Sequence, residues 1–215
     1  MLVLLCGVLG FLAGVYVRAA AGAFEADPPD TKAEARRALA ALRRWPVPAR
    51  VPVVELLTGA VCALVAWRAA PPYLPGLLFA GLLGTLLAVV DWRTFRLPDV
   101  LTLPAYPILA LLLIPTGELL RALLGALALG LLYGVLWFVR PAAMGLGDVK
   151  LAGLIGLATA ALGWQSWAVA AVGGQVLGAC YAVGLLLARK ADRSTEFPFG
   201  PFMLLGGLAA ICLIQ

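Results

Sequence analysis

The sequence contains no histidine. That absence removes Ser–His–Asp triads, H-E-x-x-H metalloproteases and imidazole metal sites from the possible chemistries. Serine is scarce. Ser166 and Ser194 are the only two, and neither forms an obvious dyad with a buried lysine. Cys6, Cys62, Cys180 and Cys212 stand singly inside apolar segments, with no C-x-x-C pair to suggest a zinc knuckle or a disulfide framework. They read as small buried hydrophobes. Charge is sparse too, at 13% of residues, where soluble domains carry about 25%. Any acid–base chemistry therefore falls to carboxylates.

What is plentiful is apolar: 63% of 215 residues are hydrophobic, with a mean hydropathy of +1.01. The composition predicts an all-α, polytopic integral membrane protein, folded as a single membrane domain over 1–215. A spanning helix needs roughly 20 mostly apolar residues. Eight runs qualify: 1–18, 52–69, 74–90, 100–115, 118–139, 149–163, 165–188 and 199–215. The first lacks the basic flank of a signal peptide and reads as a retained helix. The stretch from Leu151 to Ala188 is uncharged and too long for one span, so GWQS at 163–166 marks its break. Pro98, Pro104, Pro107 and Pro115 fence the fourth run and predict an irregular start to it.

With the N-terminus outside, every one of the 16 lysines and arginines except Arg68 and Arg121 falls on the inner side. This is a strong positive-inside bias. It supports both the eight-helix count and this orientation, and explains the net charge of +5 without a nucleic-acid partner. The one sizeable polar segment, 24–50, becomes a short cytoplasmic loop. Its middle has helical spacing, with Asp30 or Thr31 as a cap. It reads equally as an amphipathic surface helix and as a solvated linker.

Of 11 acidic residues, Glu55, Asp91, Asp99 and Asp148 lie at or just inside the inner boundary. Ionisable groups at that depth are functional candidates by default. Asp91 ends one helix in LLAVVDWRTFRLPDVLTLP, and Asp148 opens another in PAAMGLGDVKLAGLIG. Two carboxylates that share a water and one proton can hydrolyse a peptide bond. Gly145 and Gly147 admit φ > 0 and a close backbone. They suit an extended substrate strand, or a plain turn between helices. Helix dipoles predict a split pair, with Asp148 ionised at an N-terminus and Asp91 protonated at a C-terminus. Asp99 sits where it can cap the fourth helix. Lys150 either steadies the acids beside the substrate or snorkels to the headgroups.

These segments resemble the type IV prepilin peptidases, membrane aspartyl proteases of the G-x-G-D class. VPVVELLTG, DWRTFRLPDVLTLP, GLGDVKLAGLIG and FPFGPFMLLG match the family's pieces in order along nearly the whole chain. The resemblance implies an aspartic endopeptidase with a protease core over 52–215. Such enzymes remove the basic leader from prepilins or pseudopilins at the cytoplasmic face, beside membrane lipid. It implies Asp91 and Asp148 as the catalytic pair and no cofactor for proteolysis. Many relatives also methylate the new N-terminus with S-adenosylmethionine, an activity associated with a longer loop that often bears two C-x-x-C pairs. The loop here is short and lacks cysteine, so zinc is not expected and methylation is in doubt. The competing reading is a small proton- or cation-coupled transporter using the same inner-side carboxylates.

Overall fold

The computed structural model describes residues 1–28, 30–43, 51–141, 144–188 and 197–213. Among these residues there are nine α-helices and no strand. They are α1 (Leu2–Ala21), α2 (Thr31–Arg43), α3 (Val53–Arg68), α4 (Leu74–Thr94), α5 (Asp99–Leu113), α6 (Leu119–Val139), α7 (Leu146–Leu162), α8 (Trp164–Leu187) and α9 (Gly200–Leu213). All but α2 coincide with the eight apolar runs. Five of them, α1, α4, α5 with its 3-10 extension Ile114–Thr116, α6 and α8, are long and apolar enough to cross a membrane unaided. The others, α3, α7 and α9, are shorter, at 16, 17 and 14 residues. The chain is an all-α polytopic membrane protein. Its outer faces agree: Leu120, Leu123, Leu127, Leu131 and Phe138 of α6 are exposed along the whole helix. Such a stripe suits lipid and not water.

The helices pair through small residues. The buried residues of α6 are Ala122, Gly125, Leu129 and Tyr133, one stripe at helical spacing. A Cβ added to Gly156 of α7 would lie 2.9 Å from the carbonyl carbon of Gly125, so α6 and α7 touch backbone to backbone. Gly14 of α1 meets the Cα of Glu55 on α3 in the same way, and Gly174 of α8 meets the Cα of Met203 on α9. Lipid tails are as apolar as side chains, so close packing takes over from the hydrophobic effect in joining helices. At the centre lies α7, buried at every position from Leu151 to Ala161.

Charged groups gather at the two ends. At one end, Arg18 of α1 pairs with Glu55 of α3, and Lys150 of α7 pairs with Asp99 of α5. At the other, Arg121 donates to the carbonyls of Ala160 and Ala161 at 2.7 and 2.6 Å, closing α7. Arg68 there donates to the carbonyl of Cys212. Arg44, Arg50, Arg189, Lys190 and Arg193 lie outside the described residues.

Several local expectations change. The middle of the polar segment, Thr31–Arg43, forms the helix α2. Asp30 caps α2 by accepting from Lys32 N–H at 2.8 Å, and Glu34 and Ala38 bury the helix against the protein. The expected irregular start of α5 is absent. The helix is regular from Asp99 and holds Pro104 and Pro107 inside, as neighbouring helices allow in membrane proteins. Its irregularity falls at the other end, in the 3-10 turn. The long uncharged stretch breaks at Gly163, whose φ of 148° suits glycine. Cys6 and Cys62 are buried, whereas Cys180 is exposed and Cys212 half-buried.

Candidate active site

Asp91 sits in the last turn of α4 and is 5% exposed. Its Oδ2 accepts a hydrogen bond from the backbone N–H of Gly200 at 3.0 Å. Gly200 is the first residue of α9, where backbone donors are left without helical partners. A Cβ on Gly200 would lie 2.8 Å from that same oxygen, so only glycine lets the acid in. The chain leaves α4 through Phe95, in the left-handed region at φ 53°. Its N–H closes the helix on the Asp91 carbonyl at 2.8 Å.

Asp148 is the third residue of α7 and remains partly exposed. Its Oδ2 accepts from Gly145 N–H at 3.2 Å, the carboxylate half of a capping box. Asp91 lies close enough to Asp148 for the two charges to repel. Tyr133 of α6 is buried, hydrogen-bonded with Gln175 and within electrostatic range of Asp148. Its ring centroid is 6.4 Å from that of Phe199, next to Gly200. Four helices thus build the site: α4 and α7 bring the acids, α9 a backbone donor and α6 an aromatic wall.

This arrangement removes the dipole split expected from sequence. The side chain of Asp91 reaches the N-terminus of α9 although its backbone ends α4. Both carboxylates therefore face helix N-termini, and the dipoles do not tell them apart. The positive φ that Gly145 and Gly147 admit is not used near Asp148. Gly145 has φ −79°, and among the described glycines only Gly117 and Gly163 are positive. Gly147 is needed for close approach instead, since a Cβ there would lie 2.9 Å from the Cβ of Leu97. Gly145 is exposed and has no such constraint, with a Cβ finding Asp148 Oδ2 at 3.7 Å.

Lys150 holds Asp99 in an ion pair, and its backbone carbonyl accepts from the Tyr106 hydroxyl at 2.7 Å. Asp99 does not cap α5: Pro98 occupies the cap position and no side chain bonds there. Sequence reasoning gave no role to Gly200, Tyr133 or Leu97. Nor did it find the Glu34–Arg96 clamp. Glu34, fully buried, accepts from Arg96 Nη2 at 3.1 Å and from Glu25 N–H at 2.9 Å, tying α2 to the residue before Leu97. The described residues hold no group of three Cys, Asp or Glu side chains able to bind a metal ion.

The profile described as Type IV leader peptidase family matches residues 77–183, a stretch that includes both acids. The chain belongs to that family. Similar leader-peptidase relatives carry the name prepilin leader peptidase/N-methyltransferase. The one from Aeromonas hydrophila is 36% identical over 178 residues, 77% of this chain and 59% of the relative. One from Burkholderia pseudomallei is 37% identical over 179 residues, 78% of this chain and 56% of the relative. One from Pseudomonas aeruginosa is 34% identical over 175 residues, 75% of this chain and 58% of the relative. The chain thus spans less than three-fifths of the length of these leader peptidases. No solved structure matches it. None of these findings supports the transporter alternative.

Proposed function

We propose that this chain is a membrane aspartyl endopeptidase that removes the basic leader from a type IV prepilin or pseudopilin. What supports the reading is that Asp91 and Asp148, from separate helices, lie within electrostatic range of each other. One carboxylate, ionised, takes a proton from a water held between the pair. The resulting hydroxide attacks the scissile carbonyl carbon, and the protonated partner donates its proton to the carbonyl oxygen. Collapse of the tetrahedral intermediate breaks the C–N bond and returns a proton to the leaving amine. Proteolysis by this route needs no cofactor. Gly200 N–H fixes one oxygen of Asp91, and Gly145 N–H fixes one of Asp148.

Gly145 and Gly147 are the surface along which the substrate strand lies, with Lys150 beside it. The functional core is 52–215, and the segment 24–50 braces it through Glu34. The charge bias supports a bacterial inner-membrane protein with the acids facing the cytoplasm, in contact with lipid and without a nucleic-acid partner.

Methyl transfer enters only through the relatives' names. S-adenosylmethionine needs a slot for its adenine and free polar groups for its amino-acid end. The cavity under α2, about 420 Å³, has Lys32, Glu34, Arg96 and Asp99 among apolar residues such as Leu97 and Val100 in its lining, with no aromatic side chain. Glu34 and Arg96 are bound to each other, and Asp99 to Lys150. This cavity does not fit the group.

The test is mass spectrometry of a prepilin co-expressed with this chain. The reading expects a new N-terminus at the leader–helix junction. An intact leader in the presence of folded, membrane-inserted protein overturns it.

A further inference from the structure

A second cavity, about 260 Å³, lies among α3, α4, α7 and α9. Its walls are helix faces headed by the site itself. On α4, Gly84 and Ala88 precede Asp91 by seven and three residues; on α7, Leu151 and Ile155 follow Asp148 by three and seven. On α9, Pro201 and Leu204 follow Gly200, the donor to Asp91, by one and four residues. Residues at three-, four- and seven-residue spacings share one face of a helix. The cavity is therefore the continuation of the candidate active site toward the middle of the bundle. Thr85 and Thr159 are its polar wall residues, and each hydroxyl donates to its own helix, at 2.8 Å from Leu82 O and Ile155 O. The wall thus offers an apolar surface.

We propose that this cavity receives one large apolar side chain of the substrate, or two smaller ones, from the helix side of the cut bond and so sets the register of cleavage. The inference rests on the peptidase reading and extends it to a specificity site. A bond held between the acids sends the following residues along this wall, because α4, α7 and α9 all lead inward from the same point. The size agrees. An apolar cavity of about 150 Å³ already holds benzene, so 260 Å³ takes one large side chain or two smaller ones but no helix. The α9 wall runs from Pro201 to Ile211, about 15 Å at the helical rise. An extended chain covers that in about five residues.

The test uses full-length protein in liposomes. Prepilins carrying alanine at each of the first six positions after the cut, one at a time, are compared by kcat/KM. They are cut by the wild type, by Ala88→Leu, which fills the cavity beside Asp91, and by Leu204→Ala, which enlarges it. One or two alanine positions are expected to lose about tenfold with the wild type. The penalty at those positions should shrink to about threefold or less with Ala88→Leu, a coupling that contact produces. Leu204→Ala should shift preference there toward a bulkier side chain.

A flat alanine profile overturns the inference, as do equal penalties in the wild type and Ala88→Leu. A rate that follows the liposome's acyl-chain length alongside a flat profile assigns the cavity to lipid instead. Should Ala88→Leu cut nothing, Leu204→Ala decides: unchanged preference overturns the inference. If folded wild type cuts no prepilin, the peptidase reading fails and this inference with it; cleavage with a flat profile sinks the inference alone.

Discussion

Replacing Gly200 by alanine separates the geometry of the acids from the stability of the fold. The new methyl group would stand 2.8 Å from Asp91 Oδ2 and 3.3 Å from its Cγ, while the nearest other atom, Leu151 Cδ2, is at 3.4 Å. The Leu151 contact needs only a slight adjustment; the Asp91 contact does not hold. The easiest response is rotation of the carboxylate away from α9, which breaks the 3.0 Å bond from Gly200 N–H. A hydrogen bond to a charged group contributes about 1.5–3 kcal/mol. If that bond also holds Asp91 in its reactive position, kcat falls about 10- to 150-fold at 1.36 kcal/mol per decade. Stability should fall by no more than the roughly 1.5–3 kcal/mol of that bond, because Leu151 shifts only slightly and no other contact is lost. Single-turnover cleavage of a full-length prepilin in liposomes, with thermal unfolding of the same preparations, reads both quantities. Undiminished kcat in Gly200→Ala refutes the positioning role. A loss of stability beyond that of the bond refutes the claim that the effect is local.

Gly147→Ala should destabilise the protein by about 1–3 kcal/mol by driving a methyl group onto the Cβ of Leu97; unfolding midpoints in detergent decide it, and an unchanged midpoint denies the close contact. Glu34→Ala should cost about 3 kcal/mol, since Arg96 and Glu25 N–H lose a fully buried partner. Glu25→Ala, which removes only the half-exposed Glu25–Arg37 pair, should cost less than about 1 kcal/mol; equal losses would deny Glu34 its clamp role. Lys150→Ala removes a partly exposed pair with Asp99 and should cost under about 1 kcal/mol of stability. If Lys150 meets the leader, KM rises several-fold while kcat holds, and an unchanged KM removes it from the substrate path.

The helices were legible because each apolar run is long, bounded by charge or glycine, and set by a bilayer requirement that does not depend on tertiary contacts. The break at Gly163 was visible for the same reason. The acids were legible as a pair because the sequence offers few carboxylates at helix ends, and the family pattern singles out two. What stayed hidden were contacts between distant segments. Nothing local in FPFG announces that the N–H of Gly200 will meet Asp91, or that Leu97 will press on Gly147. The dipole argument failed for that reason: it followed Asp91 along its own helix, while the side chain answers to the start of another. Nor does anything local in α2 announce that Glu34 is buried and paired with Arg96, far along the chain.

The central claim is that Asp91 and Asp148 together perform the cleavage, and paired single substitutions test it most directly. Asn at either position keeps the shape and an oxygen to accept from Gly200 or Gly145 N–H, but it carries neither charge nor proton. Prepilin processing by Asp91→Asn and Asp148→Asn, followed by mass spectrometry of the pilin N-terminus, should fall at least about a hundredfold in each, with unfolding temperatures unchanged. Leader removal near the wild-type rate by either protein contradicts the account.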